Sequence, residues 1–160
     1  MFVTHEFEPF YDKDSKILIL GSIPSPVSRK QGFYYAHPQN RFWKVLEKVY
    51  NEKIEGDISS KKKFLTKHRI ALWDVLESCY IEGAKDSSIK DPKPNDINKI
   101  ILNSKVKKIF TLGRVSYNLY NKYCYPNTNI KAIYLPSTSP LNCALNLEKL
   151  TEKYQIIKEW

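Results

Sequence analysis

The sequence predicts an α/β protein: a central parallel sheet of four strands with helices on both faces, in a three-layer α/β/α arrangement. Three observations carry this prediction. Four short apolar runs, Lys16–Leu20, Ile70–Trp73, Val106–Leu112 and Ile130–Leu135, have the length and continuity of strands buried on both sides. Segments with helical spacing of apolar residues lie between them, which is the alternation that builds parallel sheets. Each run also gives way to glycine, acid or a Ser/Pro-rich loop at its C-terminal end, where α/β proteins place their sites.

Taken in order, residues 1–15 read as an N-terminal segment packed on the domain edge through Phe7, Phe10 and Tyr11. The first strand stops at Gly21, and a loop of unusual content follows, ending in FYYAHPQNRFW. The spacing of Phe42, Val45, Leu46 and Val49 predicts a helix that opens at or just after Pro38-Gln39-Asn40 and runs to about Asn51. Ser59–Arg69 reads as a basic helix capped by serine, either a solvated charged face or a surface that follows phosphates. After the second strand comes Asp74, aimed into the site or capping a following helix. Residues 80–96 are polar, contain proline and lack periodicity, so they read as a long loop. Helices are expected over Asp96–Asn103, Arg114–Tyr123 and Ala144–Trp160, with no internal repeat and no second domain.

The 160 residues, 42% hydrophobic and 13% aromatic, suffice for one domain with a sizeable core over residues 1–160. Lys and Arg outnumber Asp and Glu, 26 to 17, and the resulting net charge of +9 favours a polyanionic partner. No apolar stretch approaches the ~20 residues of a membrane span, and no signal-peptide pattern opens the chain, so a soluble cytoplasmic protein is expected. Cys79, Cys124 and Cys143 form no CxxC pair and read as buried reduced thiols. Flat aromatic faces beside amides in the first loop suit the holding of a nucleobase.

Gly21-Ser22-Ile23-Pro24 together with FYYAHPQNRFW resembles the first motif of the uracil-DNA glycosylase superfamily, closest to its hypoxanthine-DNA glycosylase branch and similar also to the mismatch-specific uracil enzymes. Leu135-Pro136-Ser137-Thr138-Ser139-Pro140-Leu141-Asn142 resembles its second motif. The resemblance implies a monofunctional enzyme of base excision repair that flips a deaminated base, hypoxanthine above all, out of double-stranded DNA and hydrolyses its N-glycosidic bond. It implies no metal or cofactor, no obligate protein partner and a monomer; the three cysteines are one short of an iron–sulfur set.

The resemblance also assigns residues. Tyr35 would stack on the base, a contact worth roughly 1–3 kcal/mol, and Tyr34 would either join it or serve as a core aromatic. In the mismatch-specific enzymes an Asn of the Gly-x-Asn-Pro loop handles the water; that position is Ile23 here, which can neither bind water nor move a proton. The hypoxanthine branch relies instead on the Asn of its His-Pro-x-Asn segment, here Asn40, with Ser22 as a lesser contributor. Asn is a poor general base, so an electrostatically driven reaction is expected. As a residue, Asn40 equally suits a helix cap. Asp74 and Ser88, the latter from a polar cluster Asp86-Ser87-Ser88 similar to one in the hypoxanthine branch, would reach the base. Ser137, Thr138, Ser139, Pro140 and Asn142 would grip the DNA backbone, with Leu141 as a wedge in the vacated stack. Uracil enzymes often carry His where Ser137 stands, which turns the expectation further from uracil. His37 could meet DNA or serve structure. The rival readings are a uracil or mismatch-uracil glycosylase and, because of Ile23, a DNA-binding module without catalysis. No Gly-rich phosphate loop and no zinc-deaminase signature is present.

Overall fold

All four apolar runs form one parallel sheet. In the computed structural model, which describes residues 1–160, the elements are β1 (Phe2–Thr4), β2 (Ile17–Gly21), α1 (Pro26–Gln31), α2 (Phe42–Tyr50), α3 (Ile58–Lys67), β3 (Ile70–Asp74), β4 (Leu76–Glu82), β5 (Lys85–Pro94), α4 (Asn98–Leu102), β6 (Lys108–Leu112), α5 (Arg114–Tyr123), α6 (Tyr125–Thr128), β7 (Ala132–Leu135) and α7 (Leu147–Tyr154). A 3-10 turn over Gln155–Glu159 closes the chain. The sheet order is β3-β2-β6-β7, every pairing parallel. Helices flank this sheet. All five residues of β2 and of β3 are buried, which is why these strands read as unbroken apolar runs without alternation.

The order places a topological switch point beside β2: the chain leaves it for β3 on one side and later returns as β6 on the other. Such a reversal opens a crevice outside the carboxyl ends of the strands. The apolar side chains below form one cluster reaching from Val3 to Ile157, with Phe42, Val45 and Leu46 of α2 wholly buried in it. Each such side chain contributes about 1.5–3 kcal/mol on leaving water.

Residues 80–96 are no loop. Most of them belong to the β4–β5 hairpin, which with β1 makes a second, antiparallel sheet of order β1-β4-β5. The pattern was hidden because β5 lies at a sheet edge with no buried residue, carries Pro92 and Pro94, and pairs through three register shifts. The N-terminal segment joins both sheets, since β1 extends the antiparallel one and Phe10 bridges to Leu72 of the parallel one.

Smaller departures follow from caps. Helix α2 begins at Phe42 with Arg41 as its cap residue, so Asn40 stands just before it. Asp57, not a serine, caps α3 by accepting from the Ser60 N–H. Asn146 caps α7 and starts it at Leu147, later than Ala144. The short α1 has too few turns to show periodicity. Cys79 and Cys124 are buried, but Cys143 is exposed. No helix is long and apolar enough to cross a membrane.

Candidate active site

The C-terminal ends of all four parallel strands meet one cavity of about 570 Å³, a size suited to a small ligand. Gly21 borders it from β2, Asp74 from β3, Leu112 and Gly113 from β6, and Ser137 from the turn after β7. Two loops and one hairpin complete the wall: residues 22–41, residues 136–146, and the β4–β5 hairpin through Asp86 and Ser87.

Asn40 links the two loops. Its Oδ1 accepts from the Phe42 N–H at 2.9 Å and from the Thr138 hydroxyl at 2.8 Å. A backbone N–H can only donate, so the atom facing it is the oxygen, and the Nδ2 amide is left as a donor without a protein partner on a residue that borders the cavity. Arg41 is the cap residue of α2, so Asn40 is not the helix cap; its bond to the first helical N–H fixes the orientation of its amide.

Tyr35 also borders the cavity. One face of its ring stacks on Phe42, with centroids 4.0 Å apart and planes at 21°. Its backbone is left-handed, φ 54°, a costly conformation for an aromatic residue and one held from both sides. The Trp43 indole N–H donates to the Tyr34 carbonyl, and the Ala36 N–H donates to Ser28 Oγ. The phenol of Tyr35 is buried without a partner; burial, then the charge of Asp74, holds it well above the ordinary range and keeps it neutral. Tyr34 differs. It is a core aromatic packed on Phe7 and Phe33, its hydroxyl donates to the Glu8 carbonyl, and only its edge of the wall is shared with the cavity.

Asp74 caps no helix. Its Oδ2 lies 2.8 Å from His5 Nε2, both side chains nearly inaccessible, and its Oδ1 presses against Gly21, where an added Cβ would sit 2.6 Å away. Glycine at the end of β2 is thus required by close approach. Ser22 is buried beside it and donates to Asp86 Oδ1 at 2.8 Å. Of the polar cluster on the hairpin, Ser88 does not reach the cavity: its hydroxyl donates to the Lys85 carbonyl and accepts from the Glu82 N–H, so it ties the hairpin together. Asp86 and Ser87 are the members that border it. Burial, then Asp74, raise the Asp86 carboxyl above the ordinary value, and the Ser22 hydroxyl offsets part of this.

In the second loop Ser137, Thr138, Ser139, Leu141 and Asn142 border the cavity, and Pro140 does not. Leu141 is 65% exposed at the tip. The loop is shaped by Ser137 Oγ accepting from the Ser139 N–H, by Asn142 Nδ2 donating to the Ser137 carbonyl, and by Arg41. The Arg41 guanidinium donates to the carbonyls of Ser139, Asn142 and Leu145, and its backbone N–H donates to that of Thr138. His37 keeps Nδ1 on the Gln39 N–H and stays off the cavity. Ile23 is buried in the wall, an apolar group in the position where the resemblance puts an amide.

The family model described as the uracil DNA glycosylase superfamily matches residues 8–160. The chain belongs to that superfamily. Within it, the chain is similar to proteins named hypoxanthine DNA glycosylase from Methanosarcina barkeri, 37% identical, and from Methanosarcina acetivorans, 40% identical. Each similarity runs over 93 residues, 58% of this chain and 59% of the relative. The solution NMR structure of a uracil DNA glycosylase candidate from Methanosarcina acetivorans has the same fold over 99% of both chains, with a TM-score of 0.79 at 29% identity. In this superfamily member the cavity at the strand ends is lined by both Ile23 and Asn40.

Sequence reasoning put forward Asn40, Tyr35, Ser22, Asp74 and most of the second loop, all of which the fold brings to one cavity. It missed His5 and Arg41. Nothing in a single sequence marks a partner from the N-terminal segment or a guanidinium whose acceptors are all main-chain carbonyls.

Proposed function

We propose that the protein is a monofunctional DNA glycosylase that flips a deaminated base, hypoxanthine first, out of double-stranded DNA and releases it with water. The observation that carries this reading is the Asn40 amide, held through Oδ1 on a residue that borders the cavity, with its N–H donors left without a protein partner. The bond that breaks joins the purine N9 to C1′ of the sugar. Its electron pair leaves with the base, where charge collects on the ring and its carbonyl oxygen, while the sugar becomes oxocarbenium-like. A water oxygen then bonds C1′ and its proton passes to the departing base, giving an abasic site and free hypoxanthine.

The residues suit these roles. Fixed amide donors stabilise the charge that develops on the base without reorganising at the moment of reaction. Tyr35 supplies the stacking face against which the base rests. The Ser137–Asn142 loop, with its hydroxyls and turn amides, meets the backbone beside the flipped nucleotide, and Leu141 fills the gap in the stack. No lysine borders the cavity except Lys85 on the hairpin, so an imine with the sugar is not part of the reading. The protein is taken to act as a monomer in the cytoplasm, without an obligate partner.

The test is release of free base from labelled duplexes carrying hypoxanthine, uracil or xanthine opposite each normal base, wild type beside Asn40→Ala. Hypoxanthine release that falls at least about 100-fold in the variant is the expected result. Release of uracil in preference would move the protein to a uracil reading favoured by nothing in the Ile23 wall. Binding without any release would leave a DNA-binding member of the superfamily.

A further inference from the structure

The β4–β5 hairpin brings to the cavity a carboxylate that the reaction above does not use. Asp86 is fixed from the sheet side by the Ser22 hydroxyl on Oδ1, while no protein donor occupies Oδ2 and the residue borders the cavity. The other carboxylate of the site, Asp74, is tied on one side only: it gives Oδ2 to His5, while Oδ1 packs on Gly21 without a protein donor. On the hairpin side the cavity thus offers an open carboxylate acceptor, Asp86 Oδ2, and on the loop side the amide donors of Asn40.

Deaminated bases share a pattern that matches this pair. Hypoxanthine and xanthine carry an N1–H beside a carbonyl at C6, and uracil carries an N3–H beside carbonyls. Adenine and cytosine present a lone pair at the same ring nitrogen. A carboxylate there would accept from the ring N–H of hypoxanthine or uracil and would face the lone pair of the amino parent, adenine or cytosine. Sites built to hydrogen-bond a substrate N–H reject an analogue that lacks it, because the buried partner is then left unpaired.

We infer that Asp86 is a specificity-determining residue, the acceptor that reads the ring N–H of the extruded base and so separates hypoxanthine and uracil from their amino parents, adenine and cytosine. This rests on the reading of the cavity as a glycosylase base pocket. Asp86 makes no bond and moves no proton in the reaction; it selects what stays in the pocket long enough to react.

The experiment compares single-turnover release of hypoxanthine with that of unsubstituted purine, supplied as 2′-deoxynebularine, whose N1 bears a lone pair. Wild type, Asp86→Ala and Asp86→Asn are measured, with melting temperatures alongside. Asp86→Asn keeps the shape and the acceptor for Ser22, so it guards against a variant that does not fold. In the expected result hypoxanthine release falls about 10- to 100-fold in Asp86→Ala, purine release stays level or rises, and Asp86→Asn narrows the preference. Equal losses on both bases, or no change in their ratio, overturn the assignment, since a merely structural residue would act on both alike. Failure of wild type itself to release any deaminated base overturns the glycosylase reading and this one with it, and that outcome shows in the wild type alone.

Discussion

The two loops that face each other across the cavity are built on opposite plans. Residues 22–41 bury Ile23, Phe33 and Tyr34 and are pinned by side chains of their own neighbourhood, with Ser28 and Trp43 gripping the main chain on either side of Tyr35. Residues 136–146 bury only Thr138, expose Leu141, and take their shape from short internal turns and one distant arginine. Rigidity stands where a base would be held and adjustability where a DNA backbone would be met. A pocket that discriminates between bases needs fixed donors and acceptors, whereas a backbone contact needs only hydroxyls, amides and room to settle.

Substitutions can test that division. The largest effect is expected at Gly21, where the first loop begins: Gly21→Val would drive side-chain atoms into Asp74 Oδ1, so thermal unfolding should show a loss of about 3 kcal/mol or more, and base release should vanish. Next comes Tyr35→Ala, which removes the stacking face; single-turnover release should fall roughly 5- to 150-fold, the equivalent of 1–3 kcal/mol, with the fold retained by circular dichroism. Arg41→Ala frees the second loop from three carbonyls; DNA binding measured by fluorescence anisotropy should weaken about tenfold or more, while release from bound substrate changes less. If the opposite split were seen, the second loop would belong to the chemistry and the comparison would fail. Leu141→Ala should cost only a few-fold in release and nothing in stability, because the side chain is exposed until DNA is present.

The smallest expected effect is a matter of pH. Asp86 has its carboxyl raised by burial and by Asp74, so the folded state holds this proton more tightly than the unfolded chain does. Stability from that preference is fully present below the ordinary aspartate value and lost as pH rises through the raised one. Asp86→Asn should therefore melt above wild type at pH 7, and the gain should shrink as pH falls toward 4, a trend that calorimetry across that range would check.

How legible the molecule is from its sequence differs between the same regions. The parallel sheet is written as apolar runs because β2, β3 and nearly all of β6 are buried, while the edge strand β7 is only half-buried, and the observed β2, β3, β6 and β7 lie within a residue or two of those runs. The hairpin escapes notice because an edge ladder has no buried face to impose alternation on its side chains. Its one inward acid, Asp86, looks no different from its neighbours, and a resemblance to a cluster could not tell it from Ser88. Helix α1 does leave a trace in Ser25-Pro26, a cap followed by proline at the first helical position. Asn40 and Tyr35 stand out through their motif, but the reason they work, an oxygen tied down by Phe42 and Thr138 and a backbone bent left-handed, exists only in three dimensions.

Every acceptor that Arg41 finds across the cavity is a main-chain carbonyl. The clamp is therefore indifferent to which side chains the opposite loop carries. Positions such as Leu141, Cys143 and Ala144 are free to vary among descendants of this gene, altering how DNA is touched while the loop keeps its path. A single arginine would let one surface diversify without the fold being renegotiated at each step, and a library randomised at those three positions should stay folded as long as Arg41 is kept.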